Sequence, residues 1–300
     1  MENKSEVREI YAKTPKQYLM ETDKGTRDVF TGALEFGELH SLVMSKANRK
    51  EMLRYVTLMD DYPEDRLDQF DWAVHDAINS IYHNDCDIMS IPMIIRTMSG
   101  NPHLKPSEKQ VERVLEIVKR LLSTGIDIVY DEEAEAYQFI NEGDGWHYYG
   151  TLISGEITTA IINGRMVDSC LHLHREPILA TLARNKKQIS TIDMRMLNTP
   201  ISMSEENIVL RNYLLSRIEQ CRHNKQQKLL SNRTIVLQAV YKTFHASQHE
   251  YTRKSRIREK IEKLLKYWSA EKFIMDYVIT DDKIFIAFHP DQFLGACLNL

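Results

Sequence analysis

Between residues 251 and 270 the chain reads YTRKSRIREKIEKLLKYWSA, and its basic residues are spaced so that a helix would gather them on one side. At about 100° per residue, Ile257, Ile261, Leu264, Leu265 and Trp268 fall in one narrow sector, while Arg256, Lys260, Lys263 and Lys266 fall opposite. A helix of this kind turns its apolar sector inward and offers its cations to an anionic partner. In a major groove, Arg and Lys reach phosphates and guanine edges, and a polar residue such as Ser255 is available to a base. Arg253 and Lys254 stand at the amino terminus, where unpaired N–H groups add positive potential. Glu259 and Glu262 show that the ridge is not purely cationic, and any surface helix carries charge outside. Context favours DNA: Arg211, Arg217, Arg222, Lys225, Lys228 and Arg233 precede the helix, and Lys283 lies near the tip of a hairpin expected after it. The expected DNA-binding residues are therefore Arg253, Lys254, Ser255, Arg256, Lys260, Lys263, Lys266 and Lys283.

A second spacing suggests metal chemistry. In the run CLHLH, Cys170, His172 and His174 alternate, so on a strand all three share a face, and zinc accepts thiolate and imidazole. A fourth ligand must come from elsewhere, and Leu171 and Leu173 need only a core to face. The expectation is a structural strand with no metal and no cofactor, a zinc enzyme remaining the lesser alternative. No P-loop, G-x-G-x-x-G, H-E-x-x-H or G-x-S-x-G is present, which removes the usual phosphate-cradle, dinucleotide and hydrolase readings. Tyr148 and Tyr149 precede CLHLH on a separate strand, away from the H-x-H setting of a nicking relaxase. No enzymatic activity is expected.

The net charge of -4 averages two opposite halves. Residues 51 to 150 carry 8 Lys plus Arg against 20 Asp plus Glu, a net of -12, and residues 175 to 272 carry 20 against 9, a net of +11. Such asymmetry points to different partners for the two regions, because counterion release rewards only clustered positive charge. The four cysteines, Cys86, Cys170, Cys221 and Cys297, form no paired C-x-x-C spacing and read as free thiols. Neither a secretory leader nor a run long enough to span a bilayer is present, so a cytoplasmic protein without membrane contact is expected.

The elements that must position these residues follow from periodicity. Residues 1–45 show no sustained period and are expected to form a partly ordered arm. From Arg66, the positions Leu67, Phe70, Ala73, Val74, Ala77, Ile78 and Ile81 predict a helix with one apolar face. The short segment IMSIPMIIRTMSG ends at Gly100. Ser107 and Gln110 have capping-box spacing ahead of Val111, Val114, Leu115, Val118, Leu121 and Leu122, and Gly125 marks the end. The strands Ile126–Tyr130 and Ala136–Ile140, around an acidic turn, are expected to make a hairpin. The acidic run from Asp60 to Asp71 is expected to be solvated. A second hairpin is signalled by Asn163–Gly164, since both residues tolerate positive φ, and a short helical stretch follows from Glu176 to Ala183. Ser204 is expected to cap a helix holding Leu210, Tyr213, Leu214 and Ile218. A helix from Arg233 to His245, with Val236, Val240 and Phe244 inward, precedes the basic helix, and the strands Phe273–Ile279 and Lys283–Phe288 follow it. The expected class is α+β, with two winged-helix domains in tandem: an arm (1–45), an acidic first domain with an additional hairpin (46–174), and a basic DNA-binding domain (175–300), joined by a segment containing a hairpin and a helix.

The stretches FDWAVHDAINSIYHNDCDIMSIPMIIRTMSG, EPILATLARNKKQISTIDMRMLNTPISMSEENIVLRNYLLSRIE and RKSRIREKIEKLLKYWSAEKFI resemble proteins carried on mobile elements of low-GC Gram-positive bacteria. Over about residues 66 to 288 their layout is similar to the two winged-helix domains of iteron-type plasmid replication initiators. The resemblance implies that Arg253 to Lys266 is the principal reading helix, and that the first domain contributes dimerisation and further DNA contacts. The acidity of the first domain departs from that pattern, and the Asn163–Gly164 hairpin has no counterpart in it. The expected function is therefore a DNA-binding replication initiator or related regulator of a mobile element. The expected partners are double-stranded DNA and, through the acidic domain, a second copy of the chain or a host replication protein. The alternative is a protein-interaction module with weak or no DNA binding.

Overall fold

Short polar side chains begin the first domain's helices by taking over N–H groups that lack a partner in the first turn. Asp68 accepts hydrogen bonds from the N–H groups of Phe70 (2.7 Å) and Asp71 (2.9 Å), and Asp71 in return accepts from the Asp68 N–H (2.7 Å), starting helix α1 (Gln69–Tyr82). Ser107 and Gln110 make the second such box, as their spacing predicts, and start α3 (Glu108–Ser123). The computed structural model describes residues 15, 17–21, 42–46, 49–53, 55–59, 67–130, 146–162, 165–185, 189–223, 234–244 and 251–289. They divide into two compact units, residues 1–98 with 102–191 and residues 99–101 with 192–300. Both mix helix and strand, as the expected α+β class requires.

In the first unit α1 is central. The sequence predicts one apolar face, yet every residue from Phe70 to Ile81 is buried. Part of the cover is β1 (Gln17–Glu21), from the expected arm: Tyr18 and Met20 are buried, the Tyr18 hydroxyl donates to the Ala73 carbonyl (3.0 Å), and the Leu19 N–H donates to Ser80 Oγ (2.8 Å). Asp71, expected among solvated carboxylates, is fully buried, 3.4 Å from Arg120, and burial pushes its carboxyl up to about 6. Strands β2 (Leu42–Lys46) and β3 (Arg49–Leu53) pair as a hairpin.

After α1 come β5 (Ile88–Ser90), α2 (Ile91–Ser99) and α3. Gly100 adopts φ +69 just past α2, a conformation that costs glycine little. The expected Ile126–Ile140 hairpin requires correction. Strand β6 (Gly125–Tyr130) lies between β4 (Tyr55–Met59) and β7 (Trp146–Thr151), pairing antiparallel with both, while residues 136–140 lie outside the described residues. The strands that close on β5 are instead β8 (Gly155–Ile162) and β9 (Arg165–Leu173), the Asn-Gly hairpin. Their register runs from Gly155 opposite Leu173 to Ile162 opposite Arg165, with Asn163 and Gly164 outside the described residues. The hairpin therefore belongs to the first unit's sheet, in order β5-β9-β8, and not to a joining segment. Nothing local distinguishes a strand that pairs with its neighbour from one that pairs 80 residues away. Helix α4 (Ile178–Asn185) follows, and Glu176 before it takes hydrogen bonds from His83 Nε2 (2.6 Å) and Thr181 Oγ1 (2.8 Å).

In the second unit, β10 (Ile189–Asp193), which begins in the first, leads into a 3-10 turn (Met194–Leu197) and α5 (Glu205–His223). The Asn207 N–H donates to Ser204 Oγ (3.3 Å), as expected of that cap, and Leu210, Leu214 and Ile218 are buried. The expected helix from Arg233 opens as a strand: β11 (Thr234–Val236) precedes α6 (Leu237–Thr243), and Val236 points outward, 46% exposed. Three consecutive β-branched residues favour pairing there. Then come α7 (Tyr251–Ala270), β12 (Asp276–Ile279) and β13 (Lys283–Ala287), in a sheet ordered β11-β13-β12. From α1 in the first unit and from α5 in the second, the described elements thus run helix, strand, helix, helix, strand, strand, with the first strand of the run paired to its last; the first unit adds β6 and β7 after α3.

Candidate nucleic-acid interface

Helix α7 is seated as its period predicts. Ile257, Ile261, Leu264, Leu265 and Trp268 are its buried residues, none more than 2% exposed. Burying side chains of this size contributes roughly 1.5–3 kcal/mol each. The Trp268 indole N–H donates to the Met196 carbonyl (2.9 Å), and the Tyr267 hydroxyl donates to that of Arg195 (2.8 Å), so the carboxyl-terminal half is pinned to the 3-10 turn.

The outward face holds the expected ligands of an anion, unequally available. Arg253, Ser255, Arg256, Lys263 and Lys266 are exposed, and Lys254 and Lys260 half-buried. Lys260 Nζ lies 3.2 Å from Glu206 Oε2, and Lys263 Nζ donates to Glu259 Oε1 at 2.7 Å, which holds that carboxyl below its ordinary value. Lys254 Nζ sits 5.5 Å over the Tyr241 ring. At the β12–β13 turn Lys283 is 3.9 Å from Asp282, and Arg258 is 3.8 Å from Asp281. Arg253, Arg256 and Lys266 make no ion pair among the described residues. Tyr251, Arg253, Arg256, Lys260 and Glu206 line an open depression of about 640 Å³ at the start of the helix.

Among the described residues the three supporting cations are engaged within the unit, a correction to the sequence expectation for Arg211, Arg217 and Arg222. Arg211 is 1% exposed and donates to the Leu197 carbonyl (2.8 Å). Arg217 lies over the Tyr213 ring and donates to Gln220 (2.7 Å). Arg222 pairs with Glu219, stacks 4.3 Å from the Phe273 ring centre and donates to the Phe273 carbonyl (2.6 Å). Lys225, Lys228 and Arg233 lie outside the described residues. What the sequence reading missed is Tyr251, 83% exposed at the start of the helix, and the pairing of Glu206 with Lys260.

In the first unit, α3 occupies the place of α7, but two of its cations lie toward acids: Arg113 is 3.9 Å from Asp68 and Arg120 is 3.4 Å from Asp71. The CLHLH run is only partly assembled as expected. His172 and His174 meet edge to face, ring centres 5.6 Å apart, but the third member of their group is Glu156 and not Cys170. Cys86, Cys170 and Cys221 form no disulfide among the described residues, and Cys297 lies outside them. Among the described residues no helix is long and apolar enough to cross a membrane.

No protein-family model and no curated protein matches this sequence. Among solved structures the chain is similar to a crystal structure of domains 2 and 3 of RctB, as its selenomethionine derivative, with a TM-score of 0.42 and 13% identity over 87% of this chain and 96% of that one. It is also similar to a second crystal structure of RctB domains 2–3, with a TM-score of 0.40 and 10% identity over 86% of this chain and 93% of that one.

Proposed function

We propose that both units are winged helices, and that the second binds duplex DNA by laying α7 in the major groove with the β12–β13 turn beside it. The repeated element order and the first-to-last strand pairing in each unit support the fold. The observation that carries the function is the division of α7 into a fully buried apolar face and an outer face on which Arg253, Arg256 and Lys266 make no ion pair among the described residues. Phosphate contacts would position the helix, and base edges read by Arg256, Lys260 or Lys263 would specify the site. Taken with the resemblance in layout, this makes the chain a replication initiator or regulator of a mobile element, working without a catalytic centre.

The acidic first unit is proposed to face protein, either a second copy of the chain or a host replication protein. Its third helix directs Arg113 and Arg120 toward acids, which favours that role over a second DNA reader.

Gel shift against random duplex at low salt tests the proposal. The wild type binds, and binding falls steeply with salt because phosphate-bound counterions are released. The double variant Arg253→Glu, Arg256→Glu loses binding tenfold or more while keeping its melting temperature. Unchanged binding in that variant overturns the DNA assignment and leaves the protein-interaction role.

A further inference from the structure

We propose that the first unit binds one zinc ion at the open end of the β8–β9 hairpin, through Glu156, His172 and His174, with Asp87 holding the His172 ring. The backbone places these four residues together. Glu156 on β8 stands directly opposite His172 on β9, and Ile88 of β5 stands opposite His172 on the other side, which brings Asp87 to the same edge. Two further hydrogen bonds extend the ladder there: the Leu173 N–H donates to the Asp87 carbonyl (2.8 Å) and the His174 N–H to the Ser154 carbonyl (2.9 Å). Leu171 and Leu173 are buried in the core, so His172 and His174 turn to the outer face. A Cβ at Gly155 would collide with the His172 carbonyl, so glycine there permits the close approach of β8 to β9 beside Glu156.

One ligand atom from each of Glu156, His172 and His174 lies within 4.8 Å of the others. His172 Nδ1 is 3.6 Å from Glu156 Oε1, and its Nε2 is 3.7 Å from Asp87 Oδ2. Both distances exceed a hydrogen bond. The first is close to the roughly 3.3 Å that separates two ligands of one tetrahedral zinc with bonds of about 2.0–2.1 Å. Two imidazoles and one carboxylate are a recognised zinc donor set that leaves the fourth position to water. The second distance places a carboxylate on the ring nitrogen away from the metal, where it would orient a ligating histidine. The side chains of His172 (40% exposed) and Glu156 (64% exposed) leave the site open to solvent for metal entry. Zinc held there clamps the loop before β5 to both strands of the hairpin. Cys170, opposite Ser90 and Thr158, is not a ligand.

The full chain, stripped with chelator and dialysed, is titrated with zinc chloride against a chromophoric competitor, with magnesium as control. One zinc per chain is expected, unaffected by magnesium. His172→Ala, His174→Ala and Glu156→Gln each weaken binding about tenfold or more, Asp87→Asn about tenfold, and Cys170→Ser not at all. Circular dichroism verifies the fold of each variant; the carboxylate substitutions are isosteric and remain informative should a histidine variant unfold. Cobalt(II) bound to the wild-type chain gives an independent readout, a tetrahedral spectrum without a thiolate band. Absence of stoichiometric zinc at micromolar concentration, undiminished binding in the folded Glu156→Gln and Asp87→Asn variants, or a thiolate band overturns the site. None of these readouts involves DNA.

Discussion

Lys260 Nζ lies 3.2 Å from Glu206 Oε2, so an acid in the first turn of α5 holds one cation of the outward ridge of α7. The pair stands at the rim of the depression that Arg253 and Arg256 also line. In the proposed mode of DNA binding, a phosphate arriving there would compete with Glu206 for the same ammonium.

Removing that competitor is predicted to strengthen DNA binding. Glu206→Gln leaves Lys260 to the phosphate and tightens binding to random duplex about two- to fivefold at low salt, the gain shrinking as salt rises. Thermal stability changes little, because such a partly exposed pair contributes about 0–1 kcal/mol. Fluorescence anisotropy titration checks it; weaker binding would show that the pair positions Lys260 for its role.

Arg256→Ala is predicted to remove one phosphate contact or one base contact, and salt dependence separates the two. Loss of a phosphate contact lowers the slope of log affinity against log salt by about one and weakens all sequences alike. Loss of a base contact costs about 1–3 kcal/mol on the preferred sequence only.

Asp71 makes stability depend on pH. Its carboxyl is raised from 3.8 to about 6, first by burial and further by Asp68, against lowering by the Asp68 N–H, Arg120 and Arg113. The folded chain therefore holds a proton that the unfolded chain releases. The contribution is complete below pH 3.8 and is lost as pH rises through 6, a difference of roughly 3 kcal/mol. Asp71→Asn is predicted to abolish this component, read as a flatter urea midpoint between pH 4 and 6; an unaltered slope in the variant would assign it to another group.

Trp268→Phe leaves the Met196 carbonyl without its donor inside the core. A loss of roughly 1–3 kcal/mol follows, seen as a lower melting temperature, and DNA affinity falls with it because the seat of α7 is lost.

Three features were legible in the sequence because each is encoded within a few residues. The inward face of α7 follows from the 3.6-residue period, which marks Ile257, Ile261, Leu264, Leu265 and Trp268 as core. The Ser107–Gln110 box and the Asn163–Gly164 turn signal are likewise local. Only the tertiary structure decided what depends on distant partners. It paired β5 with β9 and so joined the Asn-Gly hairpin to that strand in one sheet, and it grouped Glu156, not Cys170, with His172 and His174. It also divided cations that look alike in sequence: Arg211 is buried against the Leu197 carbonyl, while Arg256 remains exposed. Periodicity states which face of an element is apolar, but which strand or carbonyl meets that element is settled by long-range pairing that no short window of residues contains.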